Sequence, residues 1–230
     1  MQEKNPFIRL SDAVYSILEE AIITYKLEPG TRLVISKIAE ALNVSDSPVR
    51  EAMDALVQSG LVMERLNGRK YKAYSVFDLT DEEMTALYDA RKAIESTSAY
   101  LCAEDNSSLD MAELKRLVKL FHEEMDSYIE KANPNAMKYD RAFHNLIVEA
   151  TNNKYLIDMY KTIDKDLQCL SFRSCDYMAH DPRRENLYKM CRQHQAIYNA
   201  IEQGFPDMAR RLMDEHINFC SVRNIVNRDN

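Results

Sequence analysis

Residues 43–53 read NVSDSPVREAM, a turn followed by the start of a helix. Asn43 and Val44 close one helix, and either Ser45 or Ser47 can cap the next. Pro48 falls in that helix's first turn, where a missing N–H costs nothing. Val49, Met53, Leu56 and Val57 then recur at the helical period and define a buried face. Asp46, Ser47, Arg50 and Asp54 point the other way. A helix presented on such a turn suits a nucleic-acid groove, with Arg50 the only long cation on its open face. The planar guanidinium binds guanine O6 and N7, or grips a phosphate, through two hydrogen bonds. The alternative is a surface arginine paired with Asp46 or Asp54 one turn away.

The flanking sequence completes a unit around this helix. Ser11 can cap a helix with apolar positions Val14, Ile17, Leu18, Ala21 and Ile22, and LEPG (27–30) closes the connection after it. A short helix over 35–42 precedes the turn, and Gly60 stops the third helix. LVMERLNGRKYKAYSV (61–76) reads as two strands around a turn at Asn67-Gly68. Three helices and a two-stranded wing make a winged helix-turn-helix over residues 1–76. RLNGRKYK (65–72) packs four cations, among them Arg69 and Lys70, into eight residues. That is enough for a phosphate-facing patch, or for an ordinary solvated hairpin.

Thr80 and Glu83 form a capping box, and helical periodicity continues from there almost to the end. Helices are expected near 81–104, 109–131, 135–150, 153–178, 183–203 and 206–225, broken at EDNSS, ANPN, TNN, HDP and GFP. The fold class is therefore mainly α. A winged helix-turn-helix is followed by an antiparallel all-helical bundle over residues 77–230.

Formal net charge is -7 overall, but residues 1–76 carry 10 Lys/Arg and 10 Asp/Glu, leaving 20 and 27 for the remainder. Whole-chain acidity thus hides a neutral first unit. Five cysteines with no CxxC spacing argue against both a disulfide framework and a cysteine zinc site. The apolar runs are too short to span a bilayer and the N-terminus lacks a secretory pattern, so a cytoplasmic location and no membrane partner are expected.

A second constellation lies in the helical region. Asp140 and His144 share one helical face with Met137, Phe143 and Ile147. His194 sits among Leu187, Met190, Cys191, Ile197 and Ile201, and His216 among Leu212, Met213 and Cys220. A single inward histidine is usually a satisfied core residue, but an inward aspartate needs a cation or good donors. Three imidazoles and a carboxylate suit a divalent transition metal; zinc is the expected ion, with nickel, manganese and iron as alternatives. Arg91 also falls in an apolar stripe, with Leu87, Ile94 and Leu101. It either pairs with Glu95 or enters the bundle to hold the carboxylate of an organic-acid effector. Asn153 and Arg173 are further candidates for lining that cavity.

The segment KLEPGTRLVISKIAEALNVSDSPVREAMDALVQSGLV closely resembles the N-terminal winged-helix domain of GntR-family transcription regulators, with PG-x-x-L, IAEALNVS and SPVREAMDAL-x-x-x-GLV in order. LYDARKAIESTSAYLCAE is similar to the opening of the FadR-type effector domain, FCD. The resemblance implies DNA binding through Arg32, Ser45, Asp46, Ser47, Arg50, Arg69 and Lys70. It departs from the family at Asp46 and Ser36, where arginines are usual. Many FCD members hold a metal with an Asp-x-x-x-His pair and two later histidines, which match Asp140, His144, His194 and His216. The whole implies a homodimeric, ligand-responsive repressor of a double-stranded DNA operator, with a small carboxylate or sugar acid as effector.

Two other functions fit the sequence less well. A metal-dependent helical-bundle enzyme lacks its signatures: no Glu stands three residues before any of the five histidines, and His122-Glu123 is followed by Asp126 where a zincin needs its second histidine. An effector-independent DNA-binding protein leaves the inward Asp140 without a reason.

Overall fold

The protein is described from a computed structural model, which covers residues 9–23, 26–67, 71–131, 135–179 and 185–221. The chain forms two compact units, Met1–Asp78 and Leu79–Asn230.

In the first unit, helices α1 (Leu10–Ile23), α2 (Ile35–Leu42) and α3 (Asp46–Gln58) surround a core to which Val14, Leu18, Val49, Met53 and Leu56 contribute. The α2–α3 turn depends on Asn43, which takes a left-handed conformation (φ 52°) and returns its N–H to the carbonyls of Ala39 and Glu40. Asparagine tolerates that region at modest cost, so the chain can reverse there without glycine. Gly60, at φ 81°, ends α3 in the same way. Ile17, expected in the core, is 49% exposed. The buried stripe of α1 runs in steps of four through Val14, Leu18 and Ile22, and Ile17 lies roughly 100° around the helix from Leu18.

Strands β2 (Val62–Asn67) and β3 (Tyr71–Val76) form the expected antiparallel wing. Two details differ from the sequence expectation. Asn67 pairs with Tyr71, so three residues rather than a two-residue turn connect the strands, and that connection lies outside the described residues. The sheet also has a third strand, β1 (Arg32–Leu33), in the order β1-β3-β2. It is set by the Gly30 N–H donating to Val76 O and the Val76 N–H donating to Thr31 O, which extend the pairing to Leu33 against Tyr74.

The second unit contains α4 (Asp81–Glu104), α5 (Met111–Lys131), α6 (Asn135–Ala150), α7 (Lys154–Ala179), α8 (Glu185–Glu202) and α9 (Pro206–Cys220). Thr80 caps α4 as expected: its hydroxyl accepts from the Glu83 N–H while the Glu83 carboxylate accepts from the Thr80 N–H. Helix α9 ends at Cys220, five residues before the expected stop; residues 222–230 lie outside those described. Phe121, Phe143, Leu187, Ile197 and Ile201 are fully buried between the helices, and α9 packs along α4 and α8. This brings the inner faces of α4, α6, α8 and α9 together.

Candidate nucleic-acid interface and metal centre

On the first unit, the open face of α3 borders a groove of about 560 Å³ lined by Arg32, Ser36, Asp46, Arg50, Lys72 and Tyr74, among others. Ser45 occupies the N-cap of α3 in an extended conformation, yet its hydroxyl makes no capping bond, so the helix's first N–H groups are not closed off by that side chain. Asp46, Ser47 and Arg50 are exposed, as is Arg32 on β1. Arg50 Nη2 lies 3.5 Å from Asp46 Oδ2, so the arginine has the intrahelical partner that the sequence left open. Both side chains are more than half exposed, and such a pair contributes little and yields readily to a better partner. Lys72 is drawn to Glu64 at 3.0 Å and Asp54 at 3.7 Å, which neutralises one of the four wing cations. Arg69 and Lys70 lie outside the described residues.

In the second unit, Asp140 and His144 of α6, His194 of α8 and His216 of α9 converge, each offering a ligand atom within 4.8 Å of the others. All four are buried, the three histidines at 0–1% exposure. His194 Nε2 lies 3.2 Å from His216 Nε2 and 3.3 Å from Asp140 Oδ1. His216 Nε2 is 3.3 Å from His144 Nε2, and Asp140 Oδ1 is 3.8 Å from the same atom. Nitrogens bound about 2.0–2.1 Å from one ion, at angles between a right angle and the tetrahedral value, stand about 2.8–3.4 Å apart. The cluster has nearly that spacing.

The far sides of two of the rings face an oxygen, whereas His194 Nδ1 is buried without a hydrogen-bond partner among the described residues. His144 Nδ1 lies 2.6 Å from Glu95 Oε2, and Glu95 Oε1 accepts from Arg91 Nε at 2.8 Å. His216 Nδ1 lies 3.2 Å from Gln193 Oε1. Each oxygen can only accept, so each facing Nδ1 carries a proton, and a ring whose single proton sits there presents the Nε2 lone pair inward. The facing Nε2 atoms of His144 and His216 therefore repel one another unless a positive charge lies between them. Phe121 and Phe143 hold the His194 ring at centroid distances of 4.6 and 4.5 Å.

Electrostatics point the same way. Burial, followed by the charges of neighbouring groups, holds His194 and His216 well below the usual imidazole range, so both are neutral at pH 7. Burial pushes the Asp140 carboxyl up despite His144 and Arg91. Burial would also push Glu95 up, but Arg91 and His144 outweigh it and hold the carboxyl at about 2. Arg91 thus pairs directly with Glu95, while Asp140, which feels Arg91 only at longer range, has imidazoles as its nearest polar contacts. The donor set fits a divalent cation.

Arg91 is buried and engaged by Glu95, while also lying close enough to Asp140 and Tyr160 to feel their charges. Asn153 is an exposed residue at the start of α7, where its Oδ1 accepts from the N–H groups of Tyr155 and Leu156; this capping role explains it without a cavity. The side chain of Arg173 lies outside the described residues. Three residues carry roles the sequence did not assign. Glu95 was legible as a partner for Arg91 but not for His144. Gln193 reaches another helix with no spacing signal. Tyr160 of α7 is a buried phenol, raised first by burial and then by Glu95, and so remains protonated as a donor; its sequence context is that of a core aromatic.

The chain matches the description "Bacterial regulatory proteins, gntR family" over residues 10–69 and "FCD domain" over residues 86–219. It is 28% identical over 204 residues to the HTH-type transcriptional regulator LutR of Bacillus subtilis (strain 168), covering 84% of this chain and 90% of that one. It is 24% identical over 213 residues to the HTH-type transcriptional repressor RspR of Escherichia coli (strain K12), covering 93% and 88%. A crystal structure of a GntR transcriptional regulator from Rhodococcus sp. RHA1 has the same fold, with TM-score 0.66 and 24% identity over 94% of this chain and 97% of that one.

Proposed function

The chain belongs to the GntR family of DNA-binding transcription regulators and carries an FCD effector domain, and from that premise we propose that it is a homodimeric repressor whose bundle holds a divalent metal and senses a small carboxylate or sugar acid. The observation that carries the metal is the cluster itself: three imidazoles and Asp140 meet in the buried bundle, with two Nε2 atoms facing each other at 3.3 Å. Asp140, His144, His194 and His216 are the ligands, and zinc is the ion expected after purification. A bound divalent ion supplies positive charge and open coordination positions for a carboxylate oxygen.

Arg91 sits beside the cluster with four N–H donors beyond the one used on Glu95, and a guanidinium fork recognises a carboxylate bidentately. Tyr160 adds a neutral hydroxyl donor. On the DNA side, Arg50 leaves Asp46 for a guanine or phosphate, Arg32 lines the same groove, and Ser45 and Ser47, exposed at the start of α3, offer hydroxyls beside it. Arg69 and Lys70 are assigned to the phosphate backbone from their place in the wing. Asp46 suits a cytosine N4 donor better than phosphate. Repression needs only that the operator be occupied, and the relative RspR is named a repressor. The effector acts by linkage, binding one state of the dimer better and so changing its operator affinity.

The test is a thermal-shift screen of small carboxylates with and without zinc, followed by operator titration and in vitro transcription with each hit. The expected result is a metal-dependent hit that changes operator affinity and relieves repression. His144→Ala with His194→Ala should lose both metal uptake and effector response while keeping DNA binding. Hits that act equally on that double variant would contradict the proposal, and transcription that rises on adding the protein would reverse its sign.

A further inference from the structure

Glu95 is fully buried on α4, yet it is not one of the four converging residues. One carboxylate oxygen takes the Arg91 Nε–H at 2.8 Å and the other lies 2.6 Å from His144 Nδ1, so the carboxylate joins a fixed cation to a ring on a different helix. A carboxylate cannot donate. The proton of a neutral His144 must therefore sit on Nδ1, and the lone pair on Nε2 must face Asp140, His194 and His216. Were Glu95 an apolar residue of similar size, His144 could take the other tautomer and donate from Nε2 to His216 Nε2 3.3 Å away. The cluster would then be a self-satisfied hydrogen-bond network with no need of an ion.

Resting on the metal-site reading above, we propose that Glu95 is the positioning residue of the centre: pinned by Arg91, it fixes the orientation and tautomer of His144 and so makes this ring a metal ligand. A buried carboxylate behind a ligating imidazole also raises that ligand's basicity. Because the same carboxylate holds Arg91, an anionic ligand that draws the guanidinium away from Oε1 changes the support of His144. Metal affinity and anion affinity are thereby coupled through one side chain, each altering the other by the same factor.

The test compares zinc affinity, by competition with a chromogenic chelator, and the visible spectrum of the cobalt(II)-loaded full-length protein. Glu95→Gln removes the charge but leaves Arg91 buried and unpaired, so a second variant, Arg91→Met with Glu95→Gln, keeps the pair neutral and protects the fold. Leu187→Ala, at a fully buried position on α8, serves as a control for lost stability alone. Both Glu95 variants should bind zinc about 10- to 100-fold more weakly than wild type and shift the cobalt bands, whereas Leu187→Ala should lower the melting temperature without either change. If wild type binds zinc and both Glu95 variants bind it as tightly with unchanged cobalt spectra, the positioning role is overturned and the metal site stands. An affinity loss in Leu187→Ala equal to theirs also overturns it. If wild type takes up neither ion, the metal-site reading itself has failed.

Discussion

Replacing Asp140 by asparagine separates the demands of the fold from those of the metal. Asp140 is 5% exposed, its Oδ1 lies 3.3 Å from His194 Nε2, and burial pushes its carboxyl upward, so without metal its charge opposes folding. An asparagine of the same shape carries no charge and can donate its amide N–H to an inward lone pair. One such hydrogen bond contributes about 1 kcal/mol, or about 2–4 °C for a domain of this size. Metal-free Asp140→Asn should therefore melt at or slightly above wild type. With zinc at one hundred times its dissociation constant, wild type gains about 2.7 kcal/mol, a rise of roughly 5–11 °C. The variant should gain little, because the anionic ligand is gone. Melting curves by near-ultraviolet circular dichroism, after chelator dialysis and again with zinc, give both numbers. A metal-free variant that melts well below wild type and still rises fully with zinc would refute the electrostatic account of the cluster.

Three further outcomes follow from the same geometry. Arg50→Ala should weaken operator binding by about 1–3 kcal/mol with no change in melting temperature, since the side chain is 61% exposed; unchanged affinity in an anisotropy titration would remove Arg50 from the interface. Asp46→Arg should raise affinity for random duplex, steepen the salt dependence by about one unit and reduce discrimination for the operator, whereas unaltered random-duplex binding would place residue 46 away from the backbone. The stability of the metal-free protein should be full above about pH 6.5 and fall as pH drops below it, because unfolded histidines take up protons that His194 and His216 refuse when folded. Glu95, held at about 2 against a normal 4.5, should add a second loss between about pH 4.5 and 2, so a melting temperature flat from pH 7.5 to 4.5 would contradict the histidine assignment and one flat from pH 4.5 to 2.5 would contradict that of Glu95.

Much of this was legible in the chain because the signals are local. Asn43, Gly60 and the Thr80/Glu83 box act on their own neighbours, so the helix boundaries they set can be read without knowing the rest. The inward direction of Asp140, His144, His194 and His216 follows from helical spacing alone; only their convergence on one point needs the packing of α6, α8 and α9. Strand β1 was missed because two residues show no alternation, and it exists only through pairing with β3 some forty residues later. Ile17 was misplaced because an apolar residue beside a stripe looks like part of it. Glu95 and Gln193 act across helices, through reach rather than spacing. Pairing between Arg50 and Asp46 was foreseeable at i,i+4, but whether it persists was a question of exposure, which spacing does not give.

The most direct test of the central claim is the metal content of untagged protein purified without chelator, by elemental analysis, followed by calorimetric titration of the stripped protein with zinc. The account predicts one divalent ion per chain in total, retained or taken up, and none in the His144→Ala, His194→Ala variant. Wild type that neither retains nor takes up an ion would mean that Asp140 and the three histidines are a buried hydrogen-bond network, leaving Arg91 alone to hold an effector.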